Sequence, residues 1–397
     1  MHGSGGEWKV CRQRLHWDIL KAVQEGAKEF GIMPRADFND GSNEGTGFFE
    51  VNQKNGVRWS TARGFLRPAL RRRNLRLLTQ AETEKIIVED GRVTRVRFRL
   101  NHRPVEARAR CEVILAAGAI NTPKILEMSG IGDPEILQKL GIETVLDRPA
   151  VGENLQDHLQ IRTVFKVSGA KTLNTLANSK LGKARIGLQY LVTQSGPMSM
   201  APSQFGMFTK SDPSLTMPNL EYHVQPLSTN RLGEPLHPFP AITMSVCNLR
   251  PDSVGSCHIT SLDHTVQPDI RPSYLSTQTD KHVAVESIRQ VRMIMGARAL
   301  RAYAPEELLP GSAVQTDEEL LHDAGNIATT IFHPVGTCRM GVDDHAVVDP
   351  RLRLRGLAGL RLVDASIMPR IVSGNTASPV VMIAEKAADM IRSETRA

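Results

Sequence analysis

The sequence predicts a mixed α/β (α+β) protein in which a strand–turn–helix layer is interleaved with an antiparallel sheet. Three observations carry this. CEVILAAGAINTPKILEMSGIG runs from a short apolar strand pattern through glycine into a helical pattern. From about residue 160 to 330 the texture changes to Met-rich, Pro-broken segments with short alternating runs, which suit antiparallel strands. At 397 residues the chain can bury one large core or two interleaved ones.

The elements follow in order. An amphipathic stretch from Trp17 to Phe30 predicts a helix, and GVRWSTARGFLRPAL a second, short one. LRLLTQAETEKIIVEDGRVTRVRFRL predicts strands on either side of a turn at Glu89-Asp90-Gly91. A buried strand over Val113 to Ala116 should meet a tight turn at Gly118. The next helix should start at Pro123, capped by Thr122 and ended by Gly130 and Gly132. LEYHVQPL, ITMSVCNLR and SCHITSL read as strands of one antiparallel sheet, in a separate substrate-covering domain. A helix near Asp280 to Leu300 follows, then one opened by a capping box from Thr316 to Glu319. The final helix has Pro379 in its first turn and should bury Val380, Ile383, Ala384, Ala387 and Ile391 on one face.

Apolar content of 41% and charged content of 23% argue for a folded chain rather than a disordered one. The net charge of +7 owes much to Arg67, Arg71, Arg72, Arg73 and Arg76. Such a cluster suits nucleic acid or an anionic membrane, but no nucleic-acid motif accompanies it, and a solvated helix end is the expectation. Cys11, Cys111, Cys247, Cys257 and Cys338 are odd in number and widely spaced, which argues against a disulfide framework or zinc site and for a reducing compartment. No apolar run is long enough to span a bilayer. A cytoplasmic protein is expected, at most peripheral to an inner membrane.

Chemistry is concentrated near the C-terminus. His333 in IFHPVGTCRMG sits in a turn that Pro334 and Gly336 keep from being helical, and an imidazole is a natural proton acceptor near neutral pH. Asn375 stands just before the last helix, where its amide is either a helix-entry group or a hydrogen-bond donor to a developing alkoxide. Taken singly, each reads more readily as structural than as catalytic. Asn154, Asp157 and His158 in VGENLQDHL form a polar knot, read as a buried network holding a loop rather than as a triad or metal site. Cys338 has no activating partner in view. No metal spacing is evident among the remaining histidines.

GAINTPKILEMSGIG, VGENLQDHL, HPVGTCRMG, LRLVDASIMP and SGNTASPVVMIAEKAADMI together resemble the glucose–methanol–choline oxidoreductases, and the resemblance runs over nearly the whole chain. It implies FAD as cofactor, in a Rossmann-like domain incomplete at its N-terminus and interleaved with an antiparallel-sheet substrate domain. The implied division is 56–160 and 331–397 for the FAD-linked domain, against 1–55 and 161–330 for the substrate domain. The implied reaction is oxidation of a primary alcohol to an aldehyde by hydride transfer to flavin N5. A small-molecule alcohol is the substrate, and a quinone or another acceptor that is not NAD takes the electrons. His333 would take the hydroxyl proton and Asn375 would hold the oxygen. Asp364 and Ala365 would meet the diphosphate or ribityl chain, Asn375 and Thr376 the isoalloxazine, and the backbone of Thr83 the adenine. Alternatives within the resemblance are choline dehydrogenation proper, a flavin-containing hydroxynitrile lyase, and an inactive fragment.

Two departures qualify it. The Gly-x-Gly-x-x-Gly turn, the ribose-binding acid and a glycine loop, which in the family precede the point resembling His2-Gly3-Ser4-Gly5-Gly6, are not in this sequence. The expectation is a partial member, short of on the order of a hundred residues, that holds FAD poorly by itself. Near Ser203, where the choline branch has a carboxylate, the stretch reads PMSMAPSQFGMF. A Met-lined, carboxylate-free surface favours a neutral, apolar alcohol over a quaternary ammonium, while core packing accounts for those methionines equally well.

Overall fold

In the computed structural model, residues 3–201, 203–231 and 233–394 are described; Pro202, Leu232 and the few residues at each end of the expected domain ranges lie outside them. The chain forms two compact units. One takes residues up to Leu77, Leu159–Asn248 and Lys281–Thr329; the other takes Leu78–His158, Leu249–Asp280 and the chain from Thr330 onward. Residues 56–77 therefore group with the first unit and 249–280 with the second, unlike the expected division.

The first unit is built on an antiparallel sheet. Its hydrogen-bonded order is Gly45–Phe48, Phe205–Thr209, Leu220–Gln225, Ala241–Asn248, Leu159–Lys166 and Glu306–Leu309, with Ala328–Thr330 also paired to Leu159–Lys166. Alternation along Leu220–Gln225 sends Leu220, Tyr222 and Val224 to one face, where Tyr222 hydroxyl donates to Gln290 Oε1 of the helix Gln278–Met295 at 2.7 Å. Glu221, His223 and Gln225 take the other face beside Cys247, Ser245 and Thr243 of the neighbouring strand. The helix Asp18–Lys28 buries Ile19, Leu20 and Val23. The capping box at Thr316 and Glu319 forms reciprocally.

The second unit has a three-stranded antiparallel sheet, Ala81–Glu89, Arg92–Leu100 and Arg103–Arg108, and a parallel pair, Val113–Leu115 with Leu360–Leu362. Its apolar core joins Leu115, Leu126, Val335, Val347, Leu362 and Ile383. The C-terminal helix Ala377–Glu394 buries Ile383 and Ala387; Val380 and Ile391 are half-buried, whereas Ala384 faces solvent, against expectation. SCHITSL is also a correction. Ser256–His258 pairs with Asp269–Arg271 in a two-stranded ribbon of this unit and takes no part in the large sheet.

The expected helix start at Pro123 is moved as well. The helix runs Gly118–Glu127, with proline inside it. Proline has no N–H for the carbonyl four residues back and normally disrupts a helix interior. Here that carbonyl, on Ala119, accepts instead from Thr337 Oγ1 at 2.6 Å. Thr122 does not cap; its hydroxyl donates to Asp364 Oδ2 at 2.6 Å.

Arg67, which opens the short helix Arg67–Ala69, and Arg71, Arg72, Arg73 and Arg76 beyond it are all exposed, the solvated end that the sequence predicts. All five cysteines are free thiols. Among the described residues, no helix is long and apolar enough to cross a membrane.

Candidate active site

The expected site residues all fall in the second unit. At its centre is the segment 333–340, packed between two others. On one side Gln156 and Val335 exchange backbone hydrogen bonds, and Gly152 N donates to Thr337 O at 2.8 Å. On the other side the N–H groups of Gly336, Cys338 and Met340 donate to the carbonyls of Ala365, Ser366 and Ile367. Gly336 is required here: its φ is +93°, and a Cβ would lie 2.4 Å from the Asn154 carbonyl.

The polar knot positions the His333 turn. Asp157, nearly buried, accepts from His333 N at 2.9 Å through Oδ1, and through Oδ2 from the hydroxyls of Thr330 and Tyr274. Burial and the Asp157 charge push the Tyr274 phenol well up, so it stays a donor. Asn154 Nδ2 donates to Gly336 O at 3.1 Å, and Gln156 Nε2 to Pro369 O at 3.2 Å. Ile371 N donates to Gln156 Oε1 at 3.1 Å. Asn154, Gln156 and Asp157 thus grip the His333 turn and the loop leading to Asn375. Asn154, Gln156 and Asp157 form a hydrogen-bond network here.

His158 is fully buried and meets His333 ring to ring, Nδ1 to Nδ1, at 3.0 Å. Its Nε2 lies 3.2 Å from the Leu249 carbonyl. A carbonyl can only accept, so the proton of neutral His158 is on Nε2 and its Nδ1 is an acceptor. His333 must then donate from Nδ1, which puts its own lone pair on Nε2.

Asp364 and Gly118 follow the two parallel strands at their carboxyl ends, the place where open α/β sheets bind ligands. The Asp364 carboxylate ties these ends together, accepting from Gly118 N at 2.9 Å, Thr122 Oγ1 and Ser366 N at 2.8 Å. Among the described residues its own N–H finds no backbone acceptor, and neither does that of Ala365. Asn375 is exposed and Thr376 buried immediately before the 18-residue helix Ala377–Glu394, whose positive end faces them. Thr83 lies at a register shift of the Ala81–Glu89 strand, where the ladder is interrupted. Cys338 is buried, and burial first, then the Asp364 charge, pushes its thiol well up.

Some chemistry was not legible in the sequence. His258 is clamped between Glu127, at 2.6 Å from Nδ1, and Glu153, at 2.9 Å from Nε2. In the first unit, Glu221, His223 and Cys247 bring their ligand atoms within 4.8 Å of one another, a group that alternation and register assemble and spacing does not reveal. Ser203 Oγ accepts from Gln225 Nε2 on that same sheet face, and the buried Glu221 lies four residues back along the strand from Gln225. Of the methionines in that stretch, Met207 is core and Met198 is exposed. A cavity of about 820 Å³ in the second unit is lined by Glu82, Glu84, Arg99, Glu143 and His264, and includes none of the expected site residues.

Residues 6–160 and 251–384 match the N- and C-terminal models of the GMC oxidoreductases. The chain is 38% identical over 393 residues to an alcohol dehydrogenase (acceptor) of Pseudomonas putida, spanning 98% of this chain and 71% of that one. The chain belongs to the GMC oxidoreductase family. It is 37% identical to the mitochondrial choline dehydrogenase of Homo sapiens, over 99% of this chain and 66% of that protein. Among solved structures, the pyridoxine 4-oxidase from Mesorbium loti superposes with a TM-score of 0.86 at 27% identity, over 98% of this chain and 72% of that one. A formate oxidase of Aspergillus oryzae RIB40 does so at 0.92 and 23%, over 99% and 74%, a likeness of fold alone. The protein is thus an oxidoreductase with FAD as its family cofactor. The residues present fit that group: strand carboxyl ends with unengaged N–H groups suit a diphosphate, and a helix N-terminus suits the electron-rich edge of the ring.

Proposed function

We propose that the protein oxidises a primary alcohol to its aldehyde, with FAD as hydride acceptor at N5 and an acceptor other than NAD receiving the electrons. Bound FAD supplies the two-electron sink. Asp364, Ala365 and Thr376 hold it, with the Thr83 backbone toward adenine. His333 Nε2 takes the hydroxyl proton, and the Asn375 amide donates to the substrate oxygen, helped by the helix end behind it. As the C–H hydride leaves, the carbon–oxygen double bond forms.

The observation that carries this reading is the His158–His333 contact. It keeps a proton on His333 Nδ1 and a lone pair on Nε2, the state a base requires. When Nε2 gains its proton, the Nδ1–H still donates to His158, so nothing rearranges. A second reading, oxidation of choline itself, is favoured by the 37% identity to the mitochondrial choline dehydrogenase of Homo sapiens.

Stopped-flow bleaching of the protein supplied with FAD, mixed anaerobically with a medium-chain primary alcohol or with choline, tests both. The alcohol should bleach the flavin faster, and His333→Gln should slow it by about 10²- to 10⁴-fold. Unchanged bleaching in that variant refutes the role of His333. Faster bleaching by choline transfers the reading to choline, and cyanohydrin cleavage without bleaching makes the protein a lyase.

A further inference from the structure

The helix Lys180–Thr193 buries none of its residues, yet it is rich in aliphatic side chains. Leu181, Leu188, Leu191 and Val192 are 85%, 64%, 82% and 74% exposed. Scattered exposed leucines are ordinary. These are not scattered: Leu181, Ala184, Leu188 and Val192 recur at helical spacing on one side, with Leu191 beside them, and Met198 is exposed just beyond the helix end. Lys180 and Arg185 fall on the two borders of this apolar stripe, and Lys171 and Lys183 are exposed nearby. From His158 to Ser211 the sequence contains no Asp or Glu, although it contains seven Lys and Arg.

We propose that this helix is an in-plane docking surface for an anionic lipid bilayer. Apolar contact alone would suit another protein as well. The charge pattern selects the occupant: a cationic border of Lys180 and Arg185, on a stretch of chain without Asp or Glu, matches a leaflet of anionic headgroups, with the leucines seated at the acyl boundary. A self-association face has no need to exclude acids over so long a stretch. The inference is independent of the reaction proposed above.

Flotation of the full chain tests it, using vesicles of phosphatidylcholine alone or mixed with phosphatidylglycerol. Binding to the mixed vesicles is expected, weakening as salt rises. The double variant Leu188→Glu, Leu191→Glu should reduce the bound fraction by about tenfold or more while its circular dichroism and melting stay unchanged, since the helix contributes no buried residue. Lys180→Glu with Arg185→Glu should also weaken binding, and only to the anionic vesicles. Three results overturn the proposal. One is absence of binding to mixed vesicles. Another is binding that survives the helix changes but is lost on replacing Arg71, Arg72 and Arg73 with serine. The third is a dimer that Leu188→Glu dissociates, in a protein that does not float.

Discussion

Raising the pH from about 6 to about 10 should cost the second unit about 3 kcal/mol through a single histidine. His258 lies between Glu127 and Glu153, with a side chain only 17% exposed. Burial alone would lower its pKa, but the hydrogen bonds and charges of the two carboxylates outweigh that and raise it from 6.5 to about 9. That rise, 9 less 6.5, is worth about 3 kcal/mol at 1.36 kcal/mol per unit. Because the folded value is the higher one, the stabilisation is complete below the unfolded value near 6.5 and is lost as pH climbs through about 9. Burial also pushes the Glu127 carboxyl up, so its contribution falls with rising pH as well, beginning from the ordinary carboxylate range. Urea denaturation followed by circular dichroism, at a series of pH values, reads the slope. His258→Gln keeps a polar side chain but cannot titrate, so its curve should be nearly flat where the wild type falls. Parallel curves would refute the clamp. The effect should also reach the site, because Glu127 ends the helix Gly118–Glu127 and Glu153 opens the segment that carries Asp157 and His158. Hydrogen exchange in residues 151–158 should therefore quicken above about pH 9 in the wild type.

Two further changes probe the frame around His333. Asp157→Ala removes the acceptor of three hydrogen bonds; at about 1.5–3 kcal/mol per bond to a charged group, less re-solvation, the loss should be about 3–6 kcal/mol in urea denaturation, and under about 1 would refute the anchoring role. Thr337→Val is nearly isosteric but leaves the buried Ala119 carbonyl without its donor; about 1–3 kcal/mol should be lost, whereas no loss would mean that the helix tolerates Pro123 unaided.

What was legible in the sequence was local. The Asp18–Lys28 helix, the turn at Asp90-Gly91 and the Thr316–Glu319 box depend on residues within a few positions of one another, and periodicity or capping chemistry reads them directly. What failed depended on distant partners. The helix start at Gly118 could not be read because the donor that lets it pass through Pro123 is Thr337, 218 residues away. SCHITSL alternates like a strand of the large sheet, but alternation does not name the partner strand, and its partner is Asp269–Arg271. Ala384 fits the apolar spacing of the last helix, yet a methyl group adds little to a stripe already closed by Ile383 and Ala387.

The candidate site shows the same limit more sharply. His333 and Asn375 were legible only as members of a motif, since neither spacing nor composition distinguishes a base from a structural histidine. The structure adds a physical reason why they belong together. Asp157 holds the His333 backbone across 176 residues, and Gln156 holds the Ile371 amide, four residues before Asn375, across 215. Both grips come from adjacent residues of one strand-like segment paired to Val335. A displacement of that segment would therefore move the His333 turn and the Asn375 loop at once. On the proposed reaction both groups meet one oxygen in the transition state, so substitutions at Gln156 or Asp157 should act there more than on substrate binding. In kinetic form, kcat should fall with KM little changed. The reverse pattern would mean that the segment merely supports the fold, and that the two groups are placed independently.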